Sequence, residues 1–197
     1  MPTGVALRDA RERLFAAAER ILLRDGPNAL TSRAVTTEAG CAKGVLHRHF
    51  ADFDAFLAEL VRDRIARLDV QAAALRESAG TGTVVGNLAA ALDEVFGPLA
   101  LRVLGLVVAR DALRARLRAT TPAGLPLLTE AGRMIGSYLR REREAGRIAE
   151  DADVDTLALT LIGAGHLLFM DREAAEPGPG DVRRMVGSVV AGVVREA

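Results

Sequence analysis

The chain has 197 residues, half of them hydrophobic, which is enough for one large domain or for a small domain joined to a larger one. A single cysteine, Cys41, excludes an intrachain disulfide, fits a reducing cytoplasm and makes a closed zinc site unexpected. The formal charge is zero, yet residues 1–50 carry eight Lys and Arg against five Asp and Glu, whereas the remainder carries eighteen against twenty-one. The basic part is therefore the N-terminus, and this permits contact with phosphate groups.

Apolar residues recur at helical spacing along almost the whole chain, and no segment alternates convincingly like a strand. The apolar run at 157–170 is shorter than the roughly 18 to 20 residues of a spanning helix, so we expect no membrane segment. The fold class is predicted to be all-α, with about nine helices. Their predicted ranges are 7–24, 31–40, 42–50, 52–78, 83–96, 98–118, 125–145, 152–171 and 180–195.

The segment 31–50 is predicted to form a helix-turn-helix, two short helices joined by a turn at Gly40. Thr31 is suited to cap the first of them through its hydroxyl group. Val35, Ala39 and Leu46 share the inward face in this arrangement. The second helix then presents its other face to the major groove of DNA.

These residues closely resemble the TetR family pattern of a Thr-initiated helix, a Glu-Ala-Gly turn, and Lys-Gly-x-Leu-aromatic-x-His/Tyr-Phe. Here the pattern starts at Thr31 and continues as Glu38-Ala39-Gly40 and as 43–50. The resemblance is specific over about residues 8–60 and architectural beyond them. It implies a DNA-binding domain over 1–50 and a ligand-sensing and dimerisation domain over 51–197. Members of the family are mostly repressors that bind palindromic double-stranded operators as homodimers and are released by a small molecule.

The resemblance also implies roles for individual residues of the motif. It assigns phosphate contacts to Lys43, His47 and His49, and close approach to base edges to Gly44 and Val45. It assigns the anchoring of the preceding helix to Thr31, Ser32 and Arg33. Arg48 carries the fork of donors that reads guanine O6 and N7, and it is the preferred residue for base readout.

Three positions depart from the family pattern. His47 stands where Tyr is usual, Ala42 replaces a Ser cap, and Phe53 occupies a place where a phosphate-binding Lys is common. Imidazole charge changes near neutral pH, so we expect operator affinity to fall between about pH 6 and 8 through His47 and His49.

The last two predicted helices are apolar around much of their circumference, which indicates a partner beyond the chain's own core. We expect two copies to pair there as a four-helix bundle. The interface residues are predicted to be Leu157, Leu161, Gly165, Met185, Val189 and Val193. His166 either lines a ligand pocket or lies at this seam, and the seam is favoured.

The ligand pocket is expected among the helices of 83–145, beside the long linker helix, and its ligand is expected to be largely apolar. Its predicted lining residues, each of which also fits a plain core position, are Asn87, Leu92, Phe96, Met134 and Tyr138. Tyr138 and Asn87 are the candidates for polar contacts. A ligand that tilts the linker helix changes the spacing of the two recognition helices.

Other functions have weaker support. An enzyme needs a convergent acid, base or metal set, and the sequence contains no such constellation, so no cofactor is expected. A helical adaptor that binds protein alone is the third alternative. Cys41 is interpreted as a packing residue rather than a redox switch. Asp151, Asp153 and Asp155 fit the start of a helix better than a calcium loop.

Overall fold

A computed structural model describes residues 4–119, 125–170 and 177–195. The predicted all-α class is confirmed, and Ile148 and Val194 form an isolated bridge among these residues. A short 3-10 turn occupies Pro27–Ala29. The α-helices are α1 (Gly4–Asp25), α2 (Ser32–Glu38), α3 (Gly44–His49), α4 (Phe53–Glu77), α5 (Val84–Val95), α6 (Pro98–Ala109), α7 (Asp111–Arg118), α8 (Pro126–Glu144), α9 (Val154–Met170) and α10 (Pro179–Val190).

The structure has ten α-helices in its described part where the sequence predicts about nine, because the predicted helix 98–118 is two helices. The break falls at Arg110, whose φ of −123° and ψ of 102° are extended. Neither Gly nor Pro stands at this point, so no local signal predicts it. The last helix also ends earlier than predicted, at Val190, and Val194 then pairs with Ile148.

The described residues form two compact units. Unit 1 consists of residues 4–64 and 98–119, and unit 2 consists of residues 65–97, 125–170 and 177–195. The long helix α4 begins in unit 1 and ends in unit 2. The predicted division into a DNA-binding domain over 1–50 and a ligand-sensing and dimerisation domain over 51–197 concerns function rather than compactness. It stays a prediction.

Unit 1 is built on α1, which packs against α2, α3 and α6. The predicted inward residues Val35, Ala39 and Leu46 are buried, which confirms the face assignment for α2 and α3. Four phenylalanine rings lie together where α1, α3 and α4 meet, and the ring centroid of Phe56 is 5.1–5.7 Å from those of the other three: Phe15, Phe50 and Phe53. Aromatic pairs at such distances stabilise a core beyond their buried area.

Unit 2 has a largely aliphatic core, in which α8 packs against α9 and α10 packs against α5 and α9. Gly165 of α9 lies close to the ring of Phe96 at the end of α5, since a Cβ atom there would lie 2.7 Å from Cε2 of Phe96. The Phe96 ring in turn stacks on Phe169, with centroids 5.5 Å apart. Within the described ranges, no helix is both long and apolar enough to cross a membrane.

Candidate nucleic-acid interface and ligand cavity

The connection between α2 and α3 is a tight turn with well-defined hydrogen bonds. The Thr31 hydroxyl accepts a hydrogen bond of 3.1 Å from the Ala34 N–H and caps α2, as predicted. Gly40 has a φ of +62°, the left-handed region that favours glycine. The amide of Gly40 donates to the Thr37 carbonyl, and that of Cys41 donates to the Thr36 carbonyl. The turn therefore fixes the direction in which α3 leaves α2.

The structure leaves every predicted DNA-binding residue accessible. Those that are exposed are Thr31, Arg33, Lys43, Gly44, His47 and Arg48, and those that are half-buried are Ser32, Val45 and His49. Leu46 alone among the residues of α3 is buried. The helix therefore packs on one edge and leaves its other positions accessible, but which of these touch DNA, and the predicted pH dependence, stay predictions.

Charge pairing separates the cations of this region into two groups. Glu38 accepts from Arg20 at 2.8 Å and from Arg24 at 3.2 Å, and these two guanidinium groups hold the pKa of its carboxyl below the usual value. In the part of the chain that the structure describes, no carboxylate lies within ion-pair distance of Arg33, Lys43 or Arg48. These three cations are the ones available to an external anion.

The start of α4 is held by two arginines from the α6–α7 region, both within unit 1. Asp52 accepts from the Ala55 N–H at 2.6 Å and from Arg116 at 2.8 Å, and these bonds lower the pKa of its carboxyl. Arg110 donates to the Leu30 carbonyl at 3.1 Å, and its guanidinium lies 5.6 Å from the centre of the Phe53 ring. The sequence offered no signal for either arginine, because both contacts join distant segments.

In unit 2, the predicted polar pocket residues Asn87 and Tyr138 are hydrogen-bonded to each other. The Asn87 side-chain amide donates to the Tyr138 hydroxyl at 3.0 Å. Burial, and then hydrogen bonding to Glu142, raise the pKa of Tyr138 well above its usual value. Glu142 is fully buried, accepts from the Gly80 N–H at 3.3 Å and lies 3.5 Å from the Arg147 guanidinium. No sequence pattern indicated that Glu142 is buried beside Arg147.

A cavity of about 190 Å³ lies in unit 2 among the second half of α4, α5 and α8. Of the predicted ligand-binding residues, Asn87 and Met134 line it. Leu92 and Phe96 are instead buried in the core, and Gly165 packs against both of them. Gln71 of α4 also lines the cavity and was not predicted, since a lone Gln in a helical pattern ordinarily faces solvent.

The predicted dimer residues divide into two sets. Leu161 and Gly165 are buried against their own unit, so they are not available to a second copy, whereas Leu157, Met185, Val189 and Val193 are half-buried. The exposed apolar residues of α9 are offset from the predicted ones: Leu159 (74% exposed), Leu167 (73% exposed) and Met170. The interface itself stays a prediction, and because α9 is apolar on both faces, its composition alone does not separate the inner positions Leu161 and Gly165 from the outer ones.

An open groove of about 490 Å³ lies between α8 and α9, and His166 and Leu159 line it. The His166 ring centroid is 6.2 Å from that of Phe96. Asp153 caps α9, accepting from the Thr156 N–H at 3.1 Å, which agrees with its predicted place at a helix start. No group of three or more His, Cys, Asp or Glu suited to hold a metal ion occurs among the described residues.

Comparison with known proteins places the motif in a family. Residues 14–60 match the model of bacterial regulatory proteins, tetR family. This range covers most of α1, all of α2 and α3, and the first turns of α4. No curated protein matches the chain significantly.

Solved structures share the fold over nearly the whole chain. A transcriptional regulator from Saccharomonospora viridis, in complex with choline, has a TM-score of 0.70 at 18% identity, covering 96% of this chain and 100% of that one. A TetR-family regulator from Agrobacterium tumefaciens has a TM-score of 0.68 at 13% identity, with 96% and 100% covered. SmeT, the repressor of the Stenotrophomonas maltophilia efflux pump SmeDEF, has a TM-score of 0.62 at 18% identity, with 95% and 91% covered. Residues 14–60 therefore match the N-terminal domain of the bacterial regulatory proteins of the tetR family, and they do so on a fold shared with solved TetR-family regulators.

Proposed function

We propose that this protein is a ligand-responsive repressor that binds a palindromic operator as a homodimer in the cytoplasm. One observation carries the DNA-binding half of the proposal. Arg33, Lys43 and Arg48 are exposed on the helix-turn-helix without a carboxylate partner in the described structure, while Arg20 and Arg24 nearby are ion-paired. Unpaired cations release counterions when they meet DNA phosphates, and this drives binding.

In the proposed complex, α3 enters the major groove. Arg48 donates two hydrogen bonds to guanine O6 and N7, and Val45 contacts a thymine methyl group. Gly44 lets the backbone approach the groove floor, since the space beside its Cα is open. The phosphate contacts come from the ends of the motif: Thr31, Ser32 and Arg33 at α2, and Lys43, His47 and His49 at α3.

We assign the dimer interface to α9 and α10. Leu159, Gly163 and Leu167 form an exposed stripe along α9 at steps of four residues, a spacing that keeps them on one face. Leu159 and Gly163 also line the open groove between α8 and α9, so a second copy packed on this stripe would cover part of that groove. A two-fold axis through paired α9 and α10 helices matches the symmetry of a palindrome.

We place the effector site in the cavity lined by Asn87, Met134 and Gln71. Among relatives of the same fold, SmeT has been solved with triclosan and the S. viridis protein with choline. Gln71 belongs to α4, the helix that starts beside the DNA-binding motif. A ligand that prefers a displaced α4 would shift the population toward a state with wrongly spaced recognition helices.

Selection of bound sequences from a random duplex pool, at a stated salt concentration, tests the proposal. The wild-type chain is expected to recover a palindrome, and Arg48→Ala is expected to lose definition at one base pair in each half-site. Arg24→Ala is the matched control, because Arg24 is exposed but ion-paired, and it should recover the wild-type site. Absence of enrichment both before and after refolding to remove bound ligand would contradict the proposal.

A further inference from the structure

The cavity in unit 2 has no cationic side chain in its described lining. Its polar lining residues are Gln71, Ser78, Asn87 and Glu94, and among the lining residues that the structure describes there is no Lys, Arg or His. The Ser78 hydroxyl donates to the Leu75 carbonyl at 2.8 Å. The Asn87 amide donates to the Thr81 carbonyl at 2.9 Å and to Tyr138. The donors of Ser78 and Asn87 are therefore engaged inside the protein.

One acceptor in the lining has no partner. The side-chain oxygen Oε1 of Gln71 is buried and receives no hydrogen bond. A buried carbonyl oxygen without a donor is unfavourable, and such groups are ordinarily satisfied by protein, water or ligand. The Glu94 carboxylate belongs to the same cavity and lies on its exposed side. An unsatisfied acceptor and a carboxylate in the lining of one cavity together favour a cation that carries N–H groups.

We propose that this cavity binds the protonated amino group of a small primary amine. An ammonium N–H donates to Gln71 Oε1, Glu94 supplies the opposite charge, and Leu75 and Met134 contact the alkyl chain. The statement that this amine is the effector rests on the proposed function, whereas the binding itself does not.

The lining also distinguishes among cations. Quaternary ammonium groups are recognised by aromatic faces, and no aromatic ring belongs to the cavity lining among the described residues. A quaternary group also lacks the N–H that Gln71 requires. The volume of about 190 Å³ lies below the range of roughly 300–1,000 Å³ typical of drug-sized ligands, so a chain of a few carbons fits better. A small primary amine meets all three conditions.

Calorimetric titration of the DNA-free protein tests the binding. The probes are butylammonium chloride, tetramethylammonium chloride, butan-1-ol and sodium butyrate, at matched ionic strength. Butylammonium is expected to bind saturably, with the other three about tenfold weaker or more, the loss expected for a missing charged hydrogen bond. Equal or tighter binding of tetramethylammonium, butanol or butyrate would overturn the proposal, and so would absence of butylammonium binding.

Three substitutions locate the site. Gln71→Met keeps the side-chain length, removes the acceptor and should weaken butylammonium binding about tenfold, as should Glu94→Gln. Glu77→Gln, an exposed acid on α4 outside the cavity lining, is the charge-matched control and should bind as wild type. Gln71→Glu retains the acceptor and adds a charge, so it should bind butylammonium more tightly than wild type. This gain cannot come from unfolding, and unchanged affinity in both Gln71 variants would overturn the assignment.

A separate measurement of operator release distinguishes the amine site from the proposed function. Butylammonium binding without operator release leaves the amine site standing and removes the proposed effector role. Specific operator binding by a protein that takes up no butylammonium leaves the repressor standing and overturns the amine site.

Discussion

Unit 1 and unit 2 place their polar groups in opposite ways. Unit 1 has an aromatic core around Phe15 and Phe50, and it keeps cations at the surface, among them Arg20, which is paired with an acid, and Arg48, which is exposed on the recognition motif. Unit 2 buries Tyr138 and Glu142 inside a largely aliphatic core and joins them to Arg147. Surface cations contribute to binding and cost little when removed, whereas buried polar groups contribute to stability and specificity. The two units should therefore respond differently to substitution.

The largest effect is expected at the buried ring of unit 2. Tyr138→Ala should lower the free energy of unfolding by about 3–5 kcal/mol, because a fully buried aromatic side chain leaves a cavity and loses its contacts. Tyr138→Phe keeps the ring and should cost about 1–3 kcal/mol, because the buried Glu142 carboxylate loses its hydrogen bond to the hydroxyl while Asn87 retains its bond to the Thr81 carbonyl. Urea unfolding at one fixed protein concentration measures both. Equal losses in the two variants would show that the hydroxyl, not the ring, dominates.

A smaller effect is expected where α9 approaches Phe96. Gly165→Ala should destabilise the protein by about 1–3 kcal/mol, because the new Cβ atom overpacks the ring at 2.7 Å. Gly105→Ala, in the middle of α6 and away from the proposed dimer stripe, meets no atom within 4 Å and is the control. Thermal unfolding of the two variants compares them directly. If Gly105→Ala proves the more damaging, close packing against Phe96 does not set the cost at Gly165.

The sequence predicted the parts of the molecule that depend on neighbouring residues. Helical periodicity and the Thr31–Gly40 pattern located α2, α3 and the inward positions Val35 and Leu46, since caps, turns and helix faces are set within a few residues. It did not predict the helix break at Arg110. That arginine bonds to Leu30, eighty positions earlier, and no local pattern encodes such a contact.

The same limit applies to the candidate ligand site. Asn87 and Met134 lie at helical spacing on α5 and α8, so the sequence could indicate them as lining residues. That Gln71 Oε1 is buried without a hydrogen bond depends on how α4, α5 and α8 pack, which no local pattern encodes. Leu161 and Gly165 were assigned to the dimer because apolar content does not distinguish the inner from the outer face of α9.

A still smaller effect on stability is expected at the cap of α2 in unit 1. Thr31→Ala should destabilise unit 1 by about 1 kcal/mol, because the Ala34 N–H loses its acceptor at the helix start. Thr31→Ser keeps a hydroxyl oxygen and should remain close to wild type. Amide exchange in α2 and α3 reports this local change. No increase in exchange in Thr31→Ala would mean that the cap contributes little to holding the motif.

The smallest effect is expected on substitution of Lys43, the one lysine of the sequence, when DNA affinity is measured at a single salt concentration. The change should instead be visible in how that affinity depends on salt concentration. Lys43 is exposed and has no acidic partner in the described structure, so on the operator it would displace a counterion from one phosphate. Lys43→Gln should reduce the slope of log affinity against log salt by about 1 per protomer, and it should weaken all sequences alike. Arg24→Gln removes an equally exposed cation that is already neutralised by Asp25 and Glu38, so its slope should match wild type. Fluorescence anisotropy with labelled duplexes across a salt series measures both slopes. If Arg24→Gln lowers the slope as much as Lys43→Gln does, then internal ion pairing does not decide which cations bind DNA, and the contrast between paired and unpaired surface charges in unit 1 loses its functional meaning.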